Sequence, residues 1–309
     1  MSGPLAQQLA AGIRAPDYSV ARRREALAGW LMAGPAIGLI LAFTAAPLAF
    51  AAYMSLRDVN VLRLPGEFVG LENFFRLPSD RLFVRSVFNS LYYAALLVPA
   101  NTMLGLGLAV LLNRPLPGLR VLRTVFLLPI MVSGVVAATV WRLLLNTDAG
   151  VVNAALSALG LARQPLLQSP AQALPLLAVM TTWMTVGGSI IIFLAGLQSI
   201  PQELYDAAAV DGATGARAFF SITLPLLQRT TAFVIILTTI VALRLFDVVY
   251  IMTQGGPQRA TSVLAYYSYQ LVFLHQRLGY GSALGIALLL IILVITLVQL
   301  RLARGGADY

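Results

Sequence analysis

Arg244 and Asp247 stand three residues apart inside a stretch that is otherwise mostly hydrocarbon, Leu226 to Met252. On a helix that spacing puts both on one face. Ionisable groups at membrane depth are costly and mark functional positions by default. Two uses fit the pair. One is a mutual salt bridge that fastens this stretch to its neighbours. The other is a polar lining for a hydroxyl-rich solute, with Tyr250 one turn further on. Two more candidates for a solute path lie in the middle of other apolar stretches. Asn101, two residues after Pro99, is placed to satisfy carbonyls that the proline frees, and Trp183 fits either packing or stacking against a sugar ring. A second concentration of polar chemistry is Glu203 to Leu227, ELYDAAAVDGATGARAFFSITLPLL, with acids at 203, 206 and 211, glycines at 212 and 215, and Pro225.

What is missing narrows the chemistry further. All 21 basic residues are arginine, cysteine is absent and His275 is the only histidine. Without lysine there is no phosphate-cradling P-loop and no Schiff base. Without cysteine there are no disulfides or thiolates, and one histidine allows no multi-histidine metal site. No metal and no catalytic cluster is therefore expected, and the chain reads as a non-enzyme. The net charge of +9 comes from arginines scattered among loops and helix ends. That pattern is membrane-flanking charge and predicts no nucleic-acid partner.

The elements that position these residues follow from composition. The chain of 309 residues is 59% hydrophobic and 11% charged, with a mean hydropathy of +0.83. Soluble domains carry about a quarter charged residues. An all-α integral membrane protein in a lipid bilayer is predicted. Six stretches reach the roughly 20 apolar residues a span needs: Trp30–Leu56, Phe88–Leu112, Val121–Leu145, Leu174–Leu197, Leu226–Met252 and Tyr280–Leu300. Pro35, Pro47, Pro99 and Pro129 fall inside them, which membrane helices tolerate when neighbours satisfy the freed backbone groups. The first stretch is too long for a cleavable signal and has no small-residue cleavage site. Arg14 and Arg22 to Arg24, then Arg114, Arg120 and Arg123, then Arg301 and Arg304 place both termini in the cytoplasm. The segment Arg57 to Arg85 holds five arginines on the opposite side, nearly neutralised by Asp58, Glu67, Glu72 and Asp80. The stretch around Glu203 then lies in a cytoplasmic loop.

Within that loop, Ser199 and Pro201 give start signals for a short helix, a capping hydroxyl and a proline in the first turn. Glu203 and Asp206 suit the positive end of the helix dipole. Leu204, Ala207 and Ala208 share one small apolar face. Gly212 supplies a stop and Gly215 a second flexible point, and Thr223 and Pro225 restart a helix. The predicted helix has about nine residues, too short to be stable alone. It reads either as an amphipathic linker on the membrane surface or as a plug for a protein socket. Its acidity favours the socket, since surface-lying helices use Lys and Arg toward anionic lipid.

The spacing D-A-A-x3-G-x9-I-x-L-P, from Asp206, Ala207 and Ala208 through Gly212 to Ile222, Leu224 and Pro225, resembles the EAA loop of binding-protein-dependent ABC importer permeases. It fixes seven positions over twenty residues, with Asp206 where the family pattern has glutamate. FVGLENF (Phe68–Phe74), LRLFDVVYIMTQGGP (Leu243–Pro257), TSVLAYYSYQLVF (Thr261–Phe273) and the GYGSALG beginning at Gly279 resemble the carbohydrate-uptake branch, maltose and glycerol-3-phosphate permeases among them. The likeness runs from about Trp30 to the end. It implies a type I ABC importer transmembrane domain with a cytoplasmic coupling helix, in a bacterial cell membrane. On that reading 1–29 is a tail, 30–85 the first span and outer loop, 86–301 the five-helix core with its coupling loop at 199–225, and 302–309 a second tail. Glu203, Asp206, Ala207, Ala208, Asp211, Gly212, Ile222, Leu224 and Pro225 would carry ATPase coupling. The implied partners are a second permease subunit in a heterodimer, two ABC ATPase subunits that hold ATP and magnesium, and an extracytoplasmic solute-binding protein. No cofactor is implied in this chain. The rival class is an ion-coupled secondary transporter, which would show paired mid-membrane polar residues at repeat-related positions.

Overall fold

A computed structural model describes residues 18–60, 63–113 and 118–305. The start of the tail read over 1–29, with Arg14, together with Arg114 and residues 306–309, lies outside them. The chain divides after Tyr53 into two units. The first is a helix, α1 (Tyr18–Ile40), that passes through a π-helical turn at Leu41–Ala45 into α2 (Ala46–Ser55). The widened turn sits directly before Pro47, whose ring has no N–H for a regular turn to use.

The second unit begins with a hairpin, β1 (Arg57–Asn60) against β2 (Arg63–Phe68), antiparallel with Arg57 opposite Phe68. After α3 (Glu72–Arg76) the loop is pinned by Asn73, buried, whose amide donates to the carbonyls of Ser55 and Arg57 at 2.9 Å each. Asp80 then starts α4 (Arg81–Leu112), seven residues ahead of the predicted span, by accepting the Leu82 N–H at 2.8 Å. That satisfies one of the donors a helix start leaves open. Along its length α4 packs on α8 (Ala173–Gln198). A Cβ on Gly105 would come within 2.7 Å of the Ser189 Cβ, so glycine sets how closely the two helices approach.

Two of the six expected spans are not continuous helices. The third comprises α5 (Leu119–Leu127), a 3-10 turn at Leu128–Met131 and α6 (Gly134–Leu144), and it bends by 98°. Pro129 falls in the turn, where its ring and missing N–H break the ladder. The fifth is in three pieces. A helical segment, here α10 (Ala216–Leu226), contains a π-helical turn and Pro225, then meets α11 (Gln228–Leu243) at 66°. Residues 244–246 leave the helix before α12 (Asp247–Met252). Four described helices are long and apolar enough to cross a membrane singly, and six spans result if each bent pair counts as one.

The remaining helices are α7 (Val151–Ala158), α9 (Gln202–Val210), α13 (Leu264–Tyr269) and α14 (Leu278–Gly305). The core falls in layers. Tyr93, Leu97, Leu177, Met180 and Val249 form one, Ile190, Phe193, Leu227 and Val234 another. Leu264, Tyr267, Tyr280 and Leu284 close a third around the start of α4.

Candidate functional site

The short helix predicted between the fourth and fifth spans is α9, nine residues long. Its boundaries differ in detail from the sequence reading. The Ser199 hydroxyl donates back to the Gly196 carbonyl at 2.7 Å, closing α8 rather than capping α9. Pro201 itself occupies the cap position. Gly212 and Gly215 take positive φ, +76° and +57°, a region that costs any other residue except asparagine or aspartate noticeably. The chain re-enters a helix at Ala216 rather than at Thr223.

No residue of α9 is buried, yet its apolar residues face out: Leu204 is 43% and Val210 89% exposed. Ala207 and the acids Glu203, Asp206 and Asp211 are also exposed, while Ala208 is half-buried. Gln202 donates to the Asp206 carboxylate at 3.2 Å along the same helix. Of the other family-like positions, Ile222 is half-buried and Leu224 and Pro225 are exposed. What holds the helix in place is Tyr205, which the sequence reading passed over. Its hydroxyl shares a 3.0 Å hydrogen bond with the buried Thr223 hydroxyl. An aromatic with a hydroxyl tip among small residues was the available signal.

The second constellation is a cavity of about 290 Å³ between α8, the end of α11 and the start of α12. Arg244 and Asp247 both line it, with Thr181, Thr185 and Met184 opposite. The salt bridge read as one option for this pair is absent. Among the described residues the one ion pair is Arg76 with Glu72. The reason is the break in the chain. The Arg244 N–H makes its bond to the Ile240 carbonyl and the next residues leave the helix, so the three-residue spacing no longer puts the side chains together. Asp247 is instead seated at the start of α6, where a Cβ on Gly134 would come within 2.7 Å of its Oδ2. Tyr250, 44% exposed, follows Asp247 one turn along α12.

The other two path candidates sit elsewhere. Asn101 is fully buried: its amide donates to the Thr185 hydroxyl and its carbonyl accepts from the Ser189 hydroxyl, each at 2.5 Å. It clamps α4 to α8, and neither bond goes to a carbonyl freed by Pro99. Trp183 packs its ring 5.8 Å from that of Trp141 and lines a separate, apolar cavity of about 590 Å³ with Leu104, Phe126 and Val179. Asn101 therefore reaches the charged cavity only through Thr185, which lines it, and Trp183 does not line it.

At the opposite end of the unit from α9, Asp80 does more than start α4. Its Oδ2 accepts the hydroxyls of Tyr267 at 2.6 Å and Tyr280 at 2.9 Å, tying α13 and α14 to α4. Partial burial disfavours the carboxylate, but these two bonds and the N–H groups of Leu82 and Phe83 outweigh it and hold Asp80 below its ordinary carboxyl range. Among the described residues no group of three His, Asp or Glu is placed to hold a metal ion.

A helical membrane bundle with two broken spans, a charged cavity between helices and a bare polar-rimmed helix between spans is the build of a transport protein. Residues 101–305 match the family described as the binding-protein-dependent transport system inner membrane component, and the chain belongs to that family. It is 39% identical to a trehalose/maltose transport system permease protein of Thermococcus litoralis, over 92% of this chain and 96% of that relative. It is 36% identical to a sulfoquinovosyl glycerol transport system permease protein of Agrobacterium fabrum, over 90% of each. A crystal structure of a bacterial alginate ABC transporter, in complex with an alginate pentasaccharide-bound periplasmic protein, superposes with a TM-score of 0.81. The match covers 94% of this chain and 98% of that one, at 25% identity.

Proposed function

We propose that the chain is the membrane-spanning permease subunit of an ATP-driven importer that translocates a sugar or related polyol by alternating access. The observation that carries this is α9, a short helix whose apolar side chains are exposed although a hydrogen bond and two positive-φ glycines fix its position. A bare, positioned helix of this length is a plug for a protein groove, and the groove belongs to an ATPase chain. Closure of an ATPase pair around ATP would move α9 and, through α10 and the Tyr205–Thr223 bond, rock the spans. ATP and magnesium are held by those partner chains; this one has no lysine for a P-loop. Both termini lie in the cytoplasm, on the same side as α9.

The solute is delivered by an external binding protein and passes the Arg244–Asp247 cavity. A split charge pair offers a fixed donor fork and a fixed acceptor to successive hydroxyls. The sugar class is supported by relatives whose names specify trehalose/maltose and sulfoquinovosyl glycerol. A second permease subunit, different from this chain, completes the path. Expression with candidate ATPase and permease partners, followed by uptake into vesicles, tests the proposal. Uptake of a radiolabelled sugar that requires ATP and the binding protein is expected. Uptake by this chain alone, driven by an ion gradient, would overturn it.

A further inference from the structure

Five aromatic rings from separate pieces of the chain converge next to the charged cavity. Phe246 and Tyr250 lie in approximate parallel, 5.6 Å between centroids and 21° between planes. Tyr269 sits 5.1 Å from Phe246 and 5.4 Å from Tyr250, and Phe273 is 5.1 Å beyond Tyr269 at 32°. Tyr266, buried, backs the group, 6.2 Å from Tyr269. One end is fixed by Phe246, half-buried, which lies in the chain between Leu245 and Asp247, two residues that line the charged cavity. The outer end is fixed by Phe273, four residues before Arg277, whose backbone bridges to Asn60 of the hairpin.

We propose that Phe246, Tyr250, Tyr269 and Phe273 form a stacking track along which a sugar ring moves between the outer face and the Arg244–Asp247 cavity. The proposal rests on the sugar reading above and deepens it. A pyranose has an apolar C–H face and a polar rim. Aromatic faces take the first, while tyrosine hydroxyls and water take the second. Phe273 and Tyr250 are exposed and Tyr269 is half-exposed, so the rings present surface rather than filling a core. Lipid is a poor occupant, because the track ends on two unpaired charges that hydrocarbon would strand. Several weak, equivalent stations suit transit better than one tight site, since a solute must leave as readily as it enters.

The test uses the full chain in lipid nanodiscs, with maltose as the probe and the acyclic polyol sorbitol as its control. A Tyr269→Trp variant should change its tryptophan emission saturably with maltose and not with sorbitol. Adding Tyr250→Leu should weaken the maltose response roughly three- to tenfold, whereas adding Tyr250→Phe, which keeps the ring, should leave it within about twofold. No response to maltose, an equal response to sorbitol, or equal losses in the Leu and Phe variants would each overturn the track. Thermal unfolding of each variant in the same nanodiscs, expected to match the Tyr269→Trp parent within a few degrees, controls for loss of fold. The importer reading fails separately: maltose stacking that persists in a chain showing no ATP-dependent uptake would leave the track standing and remove the importer.

Discussion

The end of the molecule around Asp80 and the helix α9 treat their polar and apolar groups in opposite ways. The turn from Thr253 to Leu264 holds three non-glycine residues at positive φ, Gln254, Gln258 and Arg259. Every side of it is bonded. Asn89 donates to the carbonyls of Arg259 at 3.1 Å and Ser262 at 2.9 Å, Thr261 donates to Gly256 at 2.7 Å, and the Ser90 hydroxyl accepts the Leu264 N–H at 3.0 Å. Nearby, Asp80 collects two tyrosines. Strained backbone persists where its surroundings over-determine it, and here this chain alone supplies those surroundings. By contrast α9 has relaxed helical backbone, no buried side chain and one side-chain bond to another element, from Tyr205. The Asp80 end is finished by the chain itself. On the function proposed above, the helix α9 is left for another chain to finish.

Substitutions should therefore cost stability at the Asp80 end and coupling at α9. The largest stability loss is expected for Asp80→Ala, which removes a helix cap and strands two tyrosine hydroxyls, about 3 kcal/mol in all. Thermal unfolding in detergent reads it. The same carboxyl predicts a pH effect. Its pKa is lowered on folding from the ordinary 3.8, so its contribution is present above that value and is lost as pH falls through the lower, folded one. Wild-type stability should drop below about pH 4 with a slope that Asp80→Asn lacks. Next, Asn89→Ala should cost about 2 kcal/mol by leaving two carbonyls without a donor, seen as faster protease clipping between Thr253 and Leu264.

On the other side of the comparison the numbers shrink while the functional effect grows. Gly212→Ala meets open space at its Cβ, so only the positive φ opposes it, about 1 kcal/mol. ATPase activity that no longer follows transport is the expected phenotype. Tyr205→Phe should cost about 1 kcal/mol or less and loosen α9, reducing uptake more than it reduces subunit assembly. Asp206→Asn should leave unfolding within about 0.5 kcal/mol of wild type. It should still uncouple hydrolysis from uptake, measured by assaying both in the same vesicles.

The two regions were unequally legible in the sequence. The length and place of α9 could be read because Pro201 and Gly212 punctuate it chemically, and punctuation of that kind acts locally. Tyr205 was hidden, because its partner Thr223 is eighteen residues away and only the fold brings them together. The six apolar stretches were visible by count, but hydropathy is blind to direction. Pro129 was read as tolerated inside a span and Pro225 as the restart of a helix, yet they accompany bends of 98° and 66°. The Arg244–Asp247 pairing failed for the same reason: it assumed a helical period across residues that leave the helix. Asn101 stood out as a polar group in an apolar stretch, but its partners Thr185 and Ser189 lie on a helix that sequence spacing could not set against it.

The most direct measurement of α9 as a docking plug exploits the absence of cysteine from the chain. Val210→Cys places a single thiol on its most exposed apolar position. Labelling with a membrane-impermeant maleimide, in inside-out vesicles, should be fast for the chain alone and strongly suppressed once the ATPase partner is assembled. Equal labelling with and without the ATPase, in vesicles that carry out ATP-driven uptake, would contradict the account.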